Sequence, residues 1–459
     1  MLRLLPSRRL AIGAGVGLAA FSAPSTVLAH GIGATYVSQL PLAVYLAGAA
    51  MTVALSFAFV LIFDLRSGPE PAPRAPIAVP RALRLAFRAL GLVAWLWIVV
   101  QAILGGSSDA DVASLFLWVY GWVGLALVSA VVGPVWRWLD PFTTLFDLGA
   151  GFMRRLGIRG GEASPYPAVL DRWPAVAGFL FFVWVELVGA PGAGGRTLAL
   201  VLVAYTALTL AMMAQFGRDT WRERGETFSV WFGLLGRLAP FDPLDTDATR
   251  LRRRPYASGL LEPGWTYSQV VLVALGAASI LYDGLSQTTP WFDIIGSPGV
   301  GPETIILLAF LGLVAGAAVA VARLVGVASI GAGLTPIAVG YLIAHYLTYL
   351  IGDGQRILVA ISDPIQRGWD IFGTAFHVPS LSWLAPSLLW TIQLAAVVGG
   401  HMIGAWAGHV AATRSLEGEA APGNVRLRQV PLAAIMVLLT TVTLWSLGQA
   451  VVVEAASGS

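Results

Sequence analysis

Apolar runs of about 18 to 24 residues recur along this chain, each long enough to cross the ~30 Å hydrocarbon core of a bilayer as a helix. In hydrocarbon every backbone N–H and C=O must be satisfied within the segment, so such runs are expected to form helices. Composition agrees, with 57% of residues hydrophobic, only 12% charged and a mean hydropathy of +0.76. The expected fold is all-α, a polytopic transmembrane helix bundle with about ten spans. The expected spans are Leu40–Asp64, Phe87–Leu104, Val112–Trp136, Trp173–Ala190, Thr197–Phe216, Trp265–Tyr282, Thr304–Ala322, Leu334–Ile351, Leu388–Ala412 and Leu432–Val451.

The first apolar segment is different in kind. Arg3, Arg8 and Arg9 precede a short apolar stretch from Leu10 to Phe21, and Val27, Leu28 and Ala29 supply a small-residue cleavage site. This pattern predicts a signal peptide over residues 1–29, followed by one membrane domain over 30–459 that begins at His30. An uncleaved first helix is the alternative.

Arginine sets the orientation, because the chain has no lysine and its arginines cluster in alternate loops. Arg66 to Arg88 follow the first span, Arg137 to Arg159 the third and Arg218 to Arg254 the fifth. The loops after the second and sixth spans carry none. The positive-inside rule then places both mature termini outside a bacterial cytoplasmic membrane, as a signal peptide also requires. The net charge of +3 is expected to face anionic lipid rather than nucleic acid, for which no binding module is visible. Without cysteine there is no disulfide, thiolate ligand or thiol nucleophile.

Several stretches between the spans are readable. Trp136–Asp147 and Leu238–Asp245 each combine aromatic, Pro-Phe and acidic residues, and each is expected to be a short interfacial helix serving as an anchor. Gly68–Pro80 reads as a proline-rich linker, and Asp353–Pro386 as an outer loop that covers a site. Pro336 suggests a helix break, and Gly399, Gly400, Gly404 and Gly408 suggest close helix packing.

Ionisable groups inside spans are costly and so mark function. Glu186, Asp283 and His345 fall near the outer ends of the fourth, sixth and eighth spans, and His401 near the middle of the ninth. With His30 they form an imidazole and carboxylate set suited to a divalent transition metal, copper or zinc foremost. A free amine and imidazole on His30 would chelate copper if cleavage follows Ala29. Structural readings stand beside these: His345 and His401 bonding a neighbouring helix, Glu186 and Asp283 capping helices, His409 as structural and His377 as solvated.

Short motifs carry a resemblance. Ala29-His30-Gly31-Ile32-Gly33, Tyr282-Asp283-Gly284-Leu285 with Thr288, Thr289 and Trp291, Ala344-His345-Tyr346, Ser362 to Asp370, and Gly400-His401 with His409 together resemble the bacterial integral-membrane family named for fenitrothion hydrolase. The resemblance covers most of the mature chain and implies hydrolysis of a small apolar organophosphorus triester. It supplies no catalytic assignment, so the site is read from the residues. His30, Asp283, His345 and His401 are the expected metal ligands, and Glu186 or Asp283 the expected base. Two other classes stay open: a metal- or proton-handling transporter, and a non-catalytic subunit of a membrane complex. A homo- or hetero-oligomer with another membrane subunit is compatible with each.

Overall fold

The computed structural model describes residues 42–63, 75–104, 111–158, 161–189, 195–416 and 430–447. The expected signal peptide and His30 lie outside the described residues. Ten long helices carry the expected spans: α1 (Leu42–Phe63), α2 (Arg81–Leu104), α3 (Val112–Val131), α4 (Ala168–Gly189), α5 (Gly195–Phe216), α6 (Tyr267–Ser286), α7 (Val300–Val325), α8 (Val327–Gly352), α9 (Pro386–Leu416) and α10 (Val430–Leu447). Eight of them, α2 to α9, are long and apolar enough to cross a membrane. The apolar surface is arranged as a bilayer would require. Helices α6 and α8 are buried at the centre, whereas α2, α5 and α7 turn Val93, Ile103, Leu200, Ile305 and Leu313 outward, each more than 60% exposed.

Close backbone approach joins α8 to α9. A Cβ on Gly400 would lie 2.6 Å from the Pro336 carbonyl oxygen, and one on Gly404 would lie 2.4 Å from that of Gly333. Small residues four apart thus create the groove that lets the two backbones touch, as expected for helix pairs without a hydrophobic driving force between them. Helix α8 continues through Pro336, where a break was expected. Proline removes a single N–H, and the surrounding packing holds the remaining helix together. Gly400→Ala is expected to destabilise the protein by about 1–3 kcal/mol through overpacking. Gly399→Ala, which meets nothing within 4 Å, is the matched control and should leave the melting temperature in detergent unchanged. Equal melting temperatures for the two variants would contradict this account.

The arginine-rich end carries elements that the apolar pattern did not reveal. Three short strands form an antiparallel sheet in the order β1 (Ile77–Ala78), β3 (Arg250–Arg253), β2 (Phe241–Pro243). The expected interfacial helix over Leu238–Asp245 is therefore a strand in its centre. Pro240 and Pro243 cannot donate helical N–H bonds, and Asp242 sits opposite Arg252 in the ladder, paired at 2.6 Å. The described end of the Gly68–Pro80 stretch contributes β1, so it is not wholly a linker. The other expected interfacial segment is helical, as Trp136–Leu139 and Pro141–Arg155.

Asp140 starts that second helix. Its Oδ1 accepts from the Phe142 and Thr143 amides at 2.8 and 3.2 Å, and its Oδ2 accepts from the Thr143 hydroxyl. The Arg222 guanidinium lies 3.5 Å from the same carboxylate, and both side chains are fully buried. Arg222 also donates to the Thr246 carbonyl and to that of Arg137. Beside it, burial works against the Arg218 charge, yet Asp219, Asp147 and Asp247 hold its pKa above the ordinary value. These ion pairs clamp the loops beneath α3 and α5.

Candidate functional site

The opposite end of the bundle gathers the ionisable residues. Asp283 lies inside the last turns of α6, one turn short of its end at Ser286, rather than closing the helix. His345 and Tyr346 are consecutive on α8 and reach the same carboxylate oxygen. Asp283 Oδ2 accepts from His345 Nε2 at 2.9 Å and from the Tyr346 hydroxyl at 2.8 Å. Asp283 Oδ1 accepts from Gln287 Nε2 at 2.7 Å, one turn along α6. The two aromatic rings meet edge to face at 4.6 Å, which fixes both. A buried carboxylate is tolerated only with such donors around it.

This network assigns the imidazole tautomer. With Nε2–H donating to Asp283, Nδ1 of the neutral tautomer is the acceptor. Gly284 determines what faces that nitrogen. A Cβ there would stand 3.5 Å from His345 Nδ1 and 3.5 Å from Ser446 Oγ of α10. The missing side chain thus leaves a space flanked by an imidazole nitrogen and a hydroxyl.

Glu186 approaches from α4, close enough for its charge to act on Asp283, Tyr346 and Tyr349. It sits where α4 widens into a π-helix, Val185–Gly189. A second π-helix, Leu115–Gly124, occupies the middle of α3 and presents Trp118 and Trp122 inward. The Trp122 ring packs on Phe179, Phe182 and Trp231, and meets Tyr346 edge-on at 6.5 Å. π-Turns are uncommon and concentrate at functional sites, and here both border the same polar group.

His401 is elsewhere. Its Nδ1 bonds the Val397 carbonyl at 2.8 Å on its own helix, its Nε2 is buried without a partner, and its ring lies 5.7 Å from that of Tyr341. Tyr341 is one turn along α8 from His345, and its hydroxyl lies beside the Thr443 side chain of α10. His409 is buried further along α9, and His377 Nε2 bonds Gln355 Oε1 at 3.1 Å in the loop between α8 and α9. Of the expected ligands, Asp283 and His345 meet each other, His401 does not join them, and His30 lies outside the described residues. Among the described residues no three His, Asp or Glu side chains are spaced to share a metal ion.

Tyr346, Gln287 and Ser446 were missed in the sequence. Tyr346 adjoins His345 and Gln287 lies four residues from Asp283, so helical spacing was available as a signal for both. Thr440, Thr443 and Ser446 recur every third residue along α10, a polar stripe in an otherwise apolar helix. No protein-family model, curated protein or solved structure matches this chain. The resemblance to the fenitrothion hydrolase family therefore rests on the short motifs alone.

Proposed function

We propose that the chain is a membrane-embedded hydrolase of neutral organophosphorus triesters of the fenitrothion type, with His345 as general base. The observation that supports this reading is the Asp283–His345 pair, whose carboxylate is held by Tyr346 and Gln287. Water in the space beside Gly284 gives a proton to His345 Nδ1 while its oxygen attacks phosphorus. The phosphorus–aryloxide bond breaks and the phenolate leaves, and Asp283 stabilises the imidazolium until its proton passes to the product or to solvent. Glu186 is the second acid–base group within electrostatic reach. An apolar triester dissolves in lipid, so a site between helices is reachable from the bilayer. The described residues do not assemble a ligand set for the expected copper or zinc ion, and no step here depends on one.

The test is nitrophenolate release from a dialkyl nitrophenyl phosphotriester by protein in liposomes. A rate equal to that of protein-free liposomes removes the hydrolase reading. A second reading, proton handling, is favoured by His401, whose buried Nε2 has no partner and whose ring lies beside that of Tyr341. Proton flux into dye-loaded liposomes that disappears in His401→Phe, without triester hydrolysis, would select it.

The same proposal puts the arginine-rich end in the cytoplasm of a bacterial inner membrane and the Asp283 site near the outer face. Cysteine placed at the exposed Ser297, in this cysteine-free chain, is expected to react with an impermeant maleimide in intact cells. Cysteine at the exposed Ala163 should react only after lysis. The reverse pattern would invert the topology.

A further inference from the structure

We infer that the arginine-rich end binds a phosphoryl group in a cavity lined by Arg137, Arg237 and Ser129. The cavity, of about 350 Å³, lies between the end of α3, the Trp136–Leu139 turn, the helix Thr227–Leu235 and the small sheet. Two acidic residues also line it, but both are committed. Asp242 pairs with Arg252 at 2.6 Å and Arg254 at 3.0 Å, and Glu262 Oε1 pairs with the same two guanidinium groups at 2.6 and 3.0 Å. Arg254 spends its other donors on the Ala239 and Gly236 carbonyls. That quartet cancels its own charge.

Arg137 and Arg237 stand outside that quartet. Arg137 donates to the Thr246 carbonyl at 3.2 Å, and Arg237 to the Glu262 carbonyl at 3.4 Å while stacking over the Trp265 ring at 4.2 Å. Among the described residues neither forms an ion pair. Each guanidinium therefore keeps donors for an acceptor from outside the chain. Burial and the neighbouring Arg222 hold the Arg137 pKa below its ordinary value, against Glu223, Asp140 and Asp219. Burial, with Arg172 and Arg254 nearby and against Glu262, pushes that of Arg237 down to about 10. A bound anion would relieve both charges.

A second observation is independent of the charges. Ser129 lines the cavity, and its buried Oγ has no hydrogen-bond partner. Two arginines lining one cavity suit a tetrahedral oxyanion with several acceptor oxygens, because arginine matches phosphate oxygens in bidentate geometry. The volume leaves room for an organic substituent. Both a phospholipid headgroup and a soluble phosphate offer this chemistry.

The full chain, purified in detergent and stripped of lipid, tests the site by thermal unfolding against inorganic phosphate and against chloride at equal ionic strength. Native mass spectrometry of protein from nanodiscs, with and without phosphatidylglycerol, counts any retained phospholipid. Wild type is expected to show saturable stabilisation by phosphate, or one retained anionic lipid. The first outcome alone identifies a soluble phosphate and the second a headgroup. Arg137→Gln with Arg237→Gln should weaken whichever is seen by at least about tenfold, since the charge-assisted donors are gone. Arg154→Gln with Arg155→Gln, on the exposed surface, should not. Absence of both effects in wild type overturns the site whatever the variants do. So does undiminished binding by a folded Arg137→Gln, Arg237→Gln protein.

Discussion

His345→Ala is expected to slow triester hydrolysis in liposomes by at least about a hundredfold, the usual cost of losing a positioned general base. Asp283→Asn should act through the same ring. The amide can still accept the Nε2 proton, but it lacks the charge that stabilises the imidazolium. Tyr346→Phe removes one donor to the carboxylate and should be milder. Gly284→Ala separates catalysis from folding most clearly. Its methyl would make contacts of 3.5 Å, ordinary van der Waals distances, yet it would fill the space beside His345 Nδ1. Turnover should fall while the melting temperature holds. Folded His345→Ala and Gly284→Ala proteins that turn over at the wild-type rate would end the general-base reading.

Asp140→Ala is expected to cause the largest loss of stability. Removing this carboxylate leaves the fully buried Arg222 only the partly exposed Asp247, 3.3 Å away, as counter-charge, and breaking a buried pair typically costs about 3–5 kcal/mol. It also removes the cap of Pro141–Arg155, worth about 1 kcal/mol more. Asp140→Asn keeps a cap acceptor and should fall between the two. Asp219 is a useful contrast, because it pairs with Arg218 while being 48% exposed. Asp219→Ala should cost less than about 1 kcal/mol, as exposed pairs generally do. Thermal unfolding in one detergent compares the three. Similar losses for Asp140→Ala and Asp219→Ala would show that burial of the Arg222 pair does not matter.

Hydrophobic runs by themselves placed ten long helices to within about seven residues of their observed ends, because a backbone in an apolar run satisfies its hydrogen bonds locally. Costly ionisable residues within those runs likewise marked Glu186, Asp283 and His345 as a group worth attention. The small-residue spacing of Gly400 and Gly404 announced the tight contact with α8. Apolar periodicity carried no sign of the three-stranded sheet, in which backbone bonds between β1 and β3 join segments more than 170 positions apart while β2 pairs locally with β3.

The tertiary structure alone decided which of the marked residues meet. Asp283 and His345 lie 62 positions apart, and their contact depends on the rotation and axial register of α6 against α8. That register also brings Tyr346 to the same oxygen and leaves Gly284 open beneath the imidazole. The packing of α9 on α8 directs His401 toward Tyr341 and its own Val397 carbonyl instead of toward Asp283. Depth in the membrane can be counted along a helix, but the azimuth at which a side chain leaves it is set by the neighbouring helices. Residues of equal depth therefore gather into one site or separate into two according to packing that no single span contains.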